Sequence, residues 1–129
     1  MQRVVPALRV KCFAKSMEYY SHLGFVKQWA HQFGPGFPVF ASIELDGMEI
    51  NLTEHSGDCQ FGGLIHFFIK DVDAYYSRIC ANGTQVEQPP ANSLGPDVRD
   101  MVVVDPDGNR LCFLTRLSSI GGENSSNAR

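Results

Sequence analysis

Several features that would assign a function quickly are missing from this sequence. No apolar run approaches the roughly 20 residues a membrane-spanning helix needs, so the sequence offers no membrane span. No basic block stands out: 11 Lys and Arg face 14 Asp and Glu, for a net charge of −3. Sequence-independent nucleic-acid binding, which rests on many phosphate contacts, is therefore not expected. The stretch Met1 to Val10 has no apolar signal-peptide core, and the expectation is a cytoplasmic chain. There are four cysteines, but Cys12, Cys59, Cys80 and Cys112 are too widely spaced for a C-x-x-C pair or a zinc pattern. In a reducing compartment they are expected to be free thiols. Asn51-Leu-Thr53 matches the glycosylation sequon, which without secretion is a chance match.

What is present is an ordinary globular composition. The 129 residues are 43% hydrophobic and 19% charged, enough to exclude wholesale disorder. A chain of this length buries roughly two-thirds of its unfolded surface as one domain.

The pattern within that domain is a repeat. Leu8-Arg-Val-Lys11 precedes Met17-Glu-Tyr-Tyr-Ser-His-Leu-Gly-Phe25, and Phe67-Phe-Ile-Lys70 precedes Ala74-Tyr-Tyr-Ser-Arg-Ile-Cys-Ala-Asn-Gly83. Each reads as an apolar strand, a short helix carrying Tyr-Tyr-Ser, and a glycine at the helix end where positive φ is easy. Val72, Tyr75 or Tyr76, and Ile79 recur at helical spacing. Among Tyr19, Tyr20, Tyr75 and Tyr76, at least one of each pair is expected to serve packing only. The second halves match as well: Asp46-Gly47 and Asp107-Gly108 each sit in a turn between two strands. Those strands are expected at Phe37 to Leu45 and Arg99 to Val104, with shorter ones near Phe25–Gln32 and Thr84–Gln88. Each unit thus reads βαβββ, at about 1–58 and 60–117. Gly34-Pro-Gly-Phe-Pro38 and Pro89 to Pro96 read as breaks at matching places. Ser118 to Arg129 reads as a flexible polar tail.

Strand alternation sorts side chains onto faces. Pairing Val10 with Ile69 places Pro6, Leu8, Val10, Ile65, Phe67 and Ile69 toward the helices. Val5, Ala7, Arg9, Leu64, His66 and Phe68 then take the opposite face. The Asp-Gly turns likewise place Ile50, Leu52, Leu111 and Phe113 inward, with Glu49, Asn51, Thr53, Arg110, Cys112 and Leu114 outward. The prediction is an α+β fold whose two units form a cupped, pseudo-symmetric mixed β-sheet with helices on the convex side. A concave surface of mixed aromatic and polar lining is a small-molecule site by default.

These residues resemble the vicinal oxygen chelate superfamily, which includes glyoxalase I, extradiol dioxygenases and bleomycin-resistance proteins. The similarity runs over about residues 4–117. It is carried by Ala7-Leu-Arg-Val10, the Tyr-Tyr-Ser-His-Leu-Gly-Phe25 block, Lys70-Asp-Val-Asp73, and Arg99 leading into Asp105-Pro-Asp-Gly-Asn109. The resemblance implies paired βαβββ units and a homodimer. Superfamily enzymes hold a divalent metal at four strand positions, which fall here on Val5, Asn51, Leu64 and Cys112. Valine and leucine cannot ligate, and a lone thiolate with an amide falls short of the three ligands a catalytic metal needs. The pattern is more similar to the metal-free, bleomycin-resistance-type branch, whose members sequester a cationic drug at the dimer interface.

The resemblance thus implies a metal-independent protein with no cofactor, binding a cationic or aromatic small molecule, with antibiotic or toxin resistance as its setting. The expected lining is Val5, Ala7, Glu49, Asn51, Leu64, His66, Phe68 and Cys112, joined by Trp29 and Phe37, whose rings can stack on a flat ligand or cover a cation. His66 is the one histidine expected on the concave face, and Glu49 is expected to face a cationic ligand or to pair with Arg9 or Arg110. Two rival readings stand beside this one. One is a lyase, isomerase or dioxygenase-like enzyme, with His66 as base or with His66 and Glu49 holding an off-pattern metal. The other is an interaction module whose cup is filled by its own side chains.

Overall fold

The computed structural model describes residues 1–117, so the tail expected at 118–129 lies outside the described residues. The elements run β1 (Ala7–Arg9), α1 (Phe13–His22), β2 (Val26–Gln32), β3 (Val39–Leu45) and β4 (Met48–Thr53) in the first unit. The second repeats them as β5 (Leu64–Phe68), α2 (Val72–Ala81), β6 (Gln88–Ala91), β7 (Val98–Val104) and β8 (Arg110–Arg116). Each unit is a mixed four-stranded sheet, ordered β1-β4-β3-β2 and β5-β8-β7-β6. This is the tandem βαβββ architecture read from the sequence. The strands form two four-stranded sheets, with β1 and β5 each at an edge, paired to β4 and β8 and not to each other. The two sheets are joined through one core.

Local chemistry explains the element ends. Asp71 caps α2 by accepting from the Ala74 N–H at 3.1 Å. The matching Cys12 makes no side-chain cap to α1; Glu54 substitutes, accepting from the Phe13 N–H at 2.6 Å and the Val39 N–H at 2.8 Å. Past both helices the chain turns through Gly24 (φ +100°) and Gly83 (φ +93°), in the left-handed region that costs glycine little. Asp46 (φ +50°) and Gly47 (φ +82°) form the tight turn that fixes Leu45 opposite Met48.

Two sequence expectations shift. The Tyr-Tyr-Ser motifs are not structural equivalents. Leu8 pairs with Leu52 as Phe67 pairs with Phe113, and the helices start at Phe13 and Val72. Counted from those starts, Tyr20 corresponds to Ile79 and Ser16 to Tyr75, all buried. Burial selects the position rather than the residue type. The second shift is at Pro89 and Pro90, read as a break but lying within β6. That strand is the sheet's outer edge, where no outward N–H is required of it. It meets β7 only at Gln88–Val102 and Ala91–Asp100, with an irregularity between.

The inward faces of both sheets close on a single core with the helices, including Leu8, Ile50 and Leu52 from one unit and Phe67, Leu111 and Phe113 from the other. Phe67 and Phe113 stack at 4.9 Å between ring centroids, and Phe25 meets Phe67 edge-on at 5.8 Å across the unit boundary.

A buried polar knot pins the boundary. Asp105 accepts from the Tyr20 hydroxyl (2.8 Å), the Asn109 N–H and Nδ2 (both 2.9 Å) and the Asp107 N–H (2.8 Å). Asn109 in turn donates to the Arg9 carbonyl at 3.0 Å and accepts from the Gly63 N–H at 2.8 Å. Gly63 must be small here: a Cβ would come within 2.8 Å of the Leu8 side chain. Asn109→Ala would leave these groups unpaired, at about 1–3 kcal/mol for each one orphaned. A loss of about 3 kcal/mol is expected in urea unfolding, against about 1.5 kcal/mol for Tyr20→Phe. A loss below about 1 kcal/mol for Asn109→Ala would contradict the role given to the knot.

Candidate functional site

Each sheet turns its other face outward, and register determines what it shows. In the first unit Ala7 pairs with Asn51, and Asn51 with Ser42. Beyond Ser42 comes Trp29 on β2. One row therefore carries Ala7, Asn51, Ser42 and Trp29. The next carries Arg9, Thr53, Phe40 and His31. Trp29 and Phe40 lie 5.7 Å apart between ring centroids. Phe33 sits edge-on between His31 (4.7 Å) and His55 (6.2 Å). Phe37 is exposed in the loop before β3, where its carbonyl accepts from Gln32 Nε2 at 2.7 Å. Val5, half-buried, precedes β1.

Glu49 differs from expectation in its partners. It pairs neither with His66 nor with Arg9 or Arg110, but accepts from the Ser42 hydroxyl and from Arg3 Nη2, the latter at 2.9 Å. Arg3 reaches it from the segment before β1. Arg9 instead lays its guanidinium over the Phe61 ring at 4.5 Å. Two buried polar atoms on this face, Arg9 Nε and Asn51 Oδ1, have no hydrogen-bond partner among the described residues.

The second unit's outer face is mostly apolar. Leu64, His66 and Phe68 pair with Arg110, Cys112 and Leu114. Leu64 and Phe68 remain 61% and 54% exposed. Cys112 is buried with Val102 and Leu114, against Val98 and Val104. Burial, reinforced by the nearby Asp100 carboxylate, raises its thiol pKa. A raised pKa means less thiolate, the opposite of what an activated nucleophile requires. All four cysteines are free.

The ten expected lining residues thus divide into two groups. Val5, Ala7, Trp29, Phe37, Glu49 and Asn51 belong to the first unit, and Leu64, His66, Phe68 and Cys112 to the second. No hydrogen bond, ion pair or aromatic contact joins the groups among the described residues. His31 lies on the first lined face, opposite Phe40, so His66 is not the only outward histidine. The sequence reading missed Arg3, Ser42, Phe40 and His31. Counting outward from the Asp46-Gly47 turn would have found Ser42 opposite Asn51 and Phe40 opposite Thr53. Nothing local pointed to Arg3.

The donor set does not fit a divalent metal. Val5, just before β1, and Leu64, at the start of β5, have no donor atom, and Asn51 and Cys112 supply one amide and one protonated thiol. Among the described residues, no three His, Cys, Asp or Glu side chains gather closely enough to share an ion.

A family model described as glyoxalase superfamily protein matches residues 1–119. No curated protein sequence matches the chain. Among solved structures, TioX from Micromonospora sp. ML1 superposes with a TM-score of 0.74 at 17% identity, covering 91% of this chain and 100% of that one. A bleomycin resistance determinant encoded on the transposon Tn5 superposes at 0.71 and 18% identity, covering 90% and 98%. A glyoxalase I mutant from Zea mays superposes at 0.68 and 16% identity, covering 86% of this chain and 45% of that one.

The Ser42 hydroxyl and then Arg3 hold the Glu49 carboxyl below the ordinary glutamate range. Because the folded-state pKa is the lower one, ionised Glu49 stabilises the fold above its unfolded value. That contribution is lost as pH falls through the lowered folded value. Following the Glu49 carboxylate carbon by NMR should give a midpoint below about 4.3, moving back up in Ser42→Ala. An unshifted midpoint would mean the contact is not kept in solution.

Proposed function

The chain belongs to the glyoxalase superfamily, and from that premise we propose that it is a small-molecule binding protein that works without a metal. The observation that carries this reading is the donor set. The four positions where superfamily enzymes hold their ion are Val5, Asn51, Leu64 and Cys112, and no other cluster among the described residues replaces them. What the outer faces offer is complementarity. Trp29 and Phe40 supply aromatic surface on one, while Leu64, Phe68 and His66 supply an exposed apolar strip on the other.

In this proposal two copies pair so that the first-unit face of one closes on the second-unit face of the other, giving two equivalent sites per homodimer. The exposure of Leu64, Phe68 and Trp29 supports this, since large apolar side chains on a lined face favour being covered. The closed site brings Val5, Ala7, Glu49, Asn51, Trp29 and Phe37 opposite Leu64, His66, Phe68 and Cys112. A flat ligand stacks on the rings. Glu49 serves a cationic group only by releasing Arg3, so stacking rather than charge dominates affinity. The likeness to a bleomycin resistance determinant supports sequestration of an antibiotic or toxin as the biological role.

The experiment has two parts. Elemental analysis of protein purified without chelator or metal resin should find no stoichiometric divalent metal, and one equivalent per chain would overturn the reading. Thermal unfolding with cationic and aromatic antibiotics should then yield a stabilising ligand, worth about 2.7 kcal/mol at a hundredfold excess over Kd. Phe68→Ala or Trp29→Ala should weaken that ligand about tenfold, equivalent to about 1.4 kcal/mol. A ligand insensitive to both substitutions binds elsewhere.

A further inference from the structure

A second concavity lies away from Val5, Asn51, Leu64 and Cys112, although Phe68 of the expected lining also borders it. It is a cavity of about 920 Å³ between the β3–β4 turn of the first unit and α2 of the second, closed at one side by the ends of β5 and β8. Leu45, Met48, Ile69 and Tyr75 give it an apolar lining. Three cations also border it, Lys70, Arg78 and Arg116, against two acids, Asp46 and Asp71.

The charges are not equally available. Asp71 is committed to capping α2 through the Ala74 N–H, leaving Asp46 as the one acid without that duty. None of the three cations forms an ion pair among the described residues, where the pairs are Arg3–Glu49 and Arg99–Asp73. Both guanidiniums are held against rings: Arg78 lies 5.5 Å from the Tyr75 centroid and Arg116 5.3 Å from that of Phe68. Stacking restrains an arginine while leaving its N–H edge free to donate. The Tyr75 hydroxyl is turned away, donating to the Leu23 carbonyl at 2.7 Å.

An apolar lining with restrained, unpaired guanidiniums fits one chemistry. We propose that this cleft is a second binding site, for a small organic anion with an apolar body, such as an aryl or alkyl carboxylate or sulfonate. The body would lie on Met48, Ile69 and Tyr75, and the anionic head would meet Arg78, Arg116 and Lys70. A bare anion would leave the apolar lining wet, and a neutral body would leave the guanidiniums without an acceptor. The site also bridges the two units, so its occupant would tie the first unit's hairpin to α2.

The test uses the full chain and the fluorescent sulfonate 1-anilinonaphthalene-8-sulfonate, with neutral N-phenyl-1-naphthylamine and inorganic phosphate as controls. One sulfonate is expected to bind per chain, at least tenfold tighter than the neutral dye, and phosphate at equal concentration should not displace it. Arg78→Gln with Arg116→Gln should weaken the sulfonate at least tenfold and leave the neutral dye unchanged. Lys70→Gln provides a second, independent reading should the double variant fail to fold by circular dichroism, with a smaller loss expected. Absence of binding, equal affinity for both dyes, displacement by phosphate, or affinity unchanged in these variants would each overturn the proposal. So would loss of the sulfonate in Trp29→Ala alone, which would locate the dye on the first lined face instead.

Discussion

The Asp105–Asn109 knot is the constraint on which the rest of the molecule depends. A carboxylate this buried is costly unless its acceptor capacity is filled. Asp105 achieves that with two backbone donors, one amide and the Tyr20 hydroxyl. The tyrosine comes from the first unit and the carboxylate from the second. Burial and the adjacent Asp105 push the Tyr20 pKa up, which keeps its hydroxyl a donor. Asn109 then reaches the Arg9 carbonyl at the end of β1 and the Gly63 N–H just before β5. One turn therefore closes its own hairpin, orients α1 against the second unit and sets where β5 begins. The faces of β1 and β5, and so both candidate linings, inherit their placement from it.

Duplication explains the scaffold, and divergence explains the faces. The inward positions kept one chemistry: Ile50 and Leu111, Leu52 and Phe113, Leu8 and Phe67 are all apolar and buried. The outward positions did not. Glu49 corresponds to Arg110, Asn51 to Cys112, and Thr53 to Leu114. The first face became polar and aromatic, with carboxylate, hydroxyl and guanidinium in mutual contact. The second became a strip of hydrocarbon and thiol. A shared core demands equivalence from both copies, whereas an outward face does not.

Those same differences decide what could be read without coordinates. The βαβββ repeat was legible because alternation and the two Asp-Gly turns are local signals, and the inward sets from β1, β4, β5 and β8 came out as the structure has them. Tyr-Tyr-Ser misled because it is an identity of letters. The helices align by burial, which equates Tyr20 with Ile79. The prolines of β6 misled because an edge strand tolerates what a central one cannot. On the site, the residues flanking the turns were recoverable by counting. The Arg3–Glu49 pair was not, since 46 positions separate its members and Arg3 lies outside every element. The separation of the lining into two unconnected groups depends on how the sheets pack. No strand pattern encodes that.

The empty donor positions carry further meaning when the packing around them is considered. Cys112 is not a degraded ligand hanging in an open site. It is buried with Val102 and Leu114, and its raised thiol pKa follows from that company. Val5, half-buried, and Leu64, largely exposed, occupy equivalent places before and at the start of the edge strands, and neither carries a donor atom. Building a metal site at these positions would require donors at several of them at once and would put polar atoms beside the Val102–Leu114 cluster, where an unpaired group costs about 1–3 kcal/mol. The outer face of the second unit is therefore built mostly of hydrocarbon, with Cys112 buried among Val102 and Leu114.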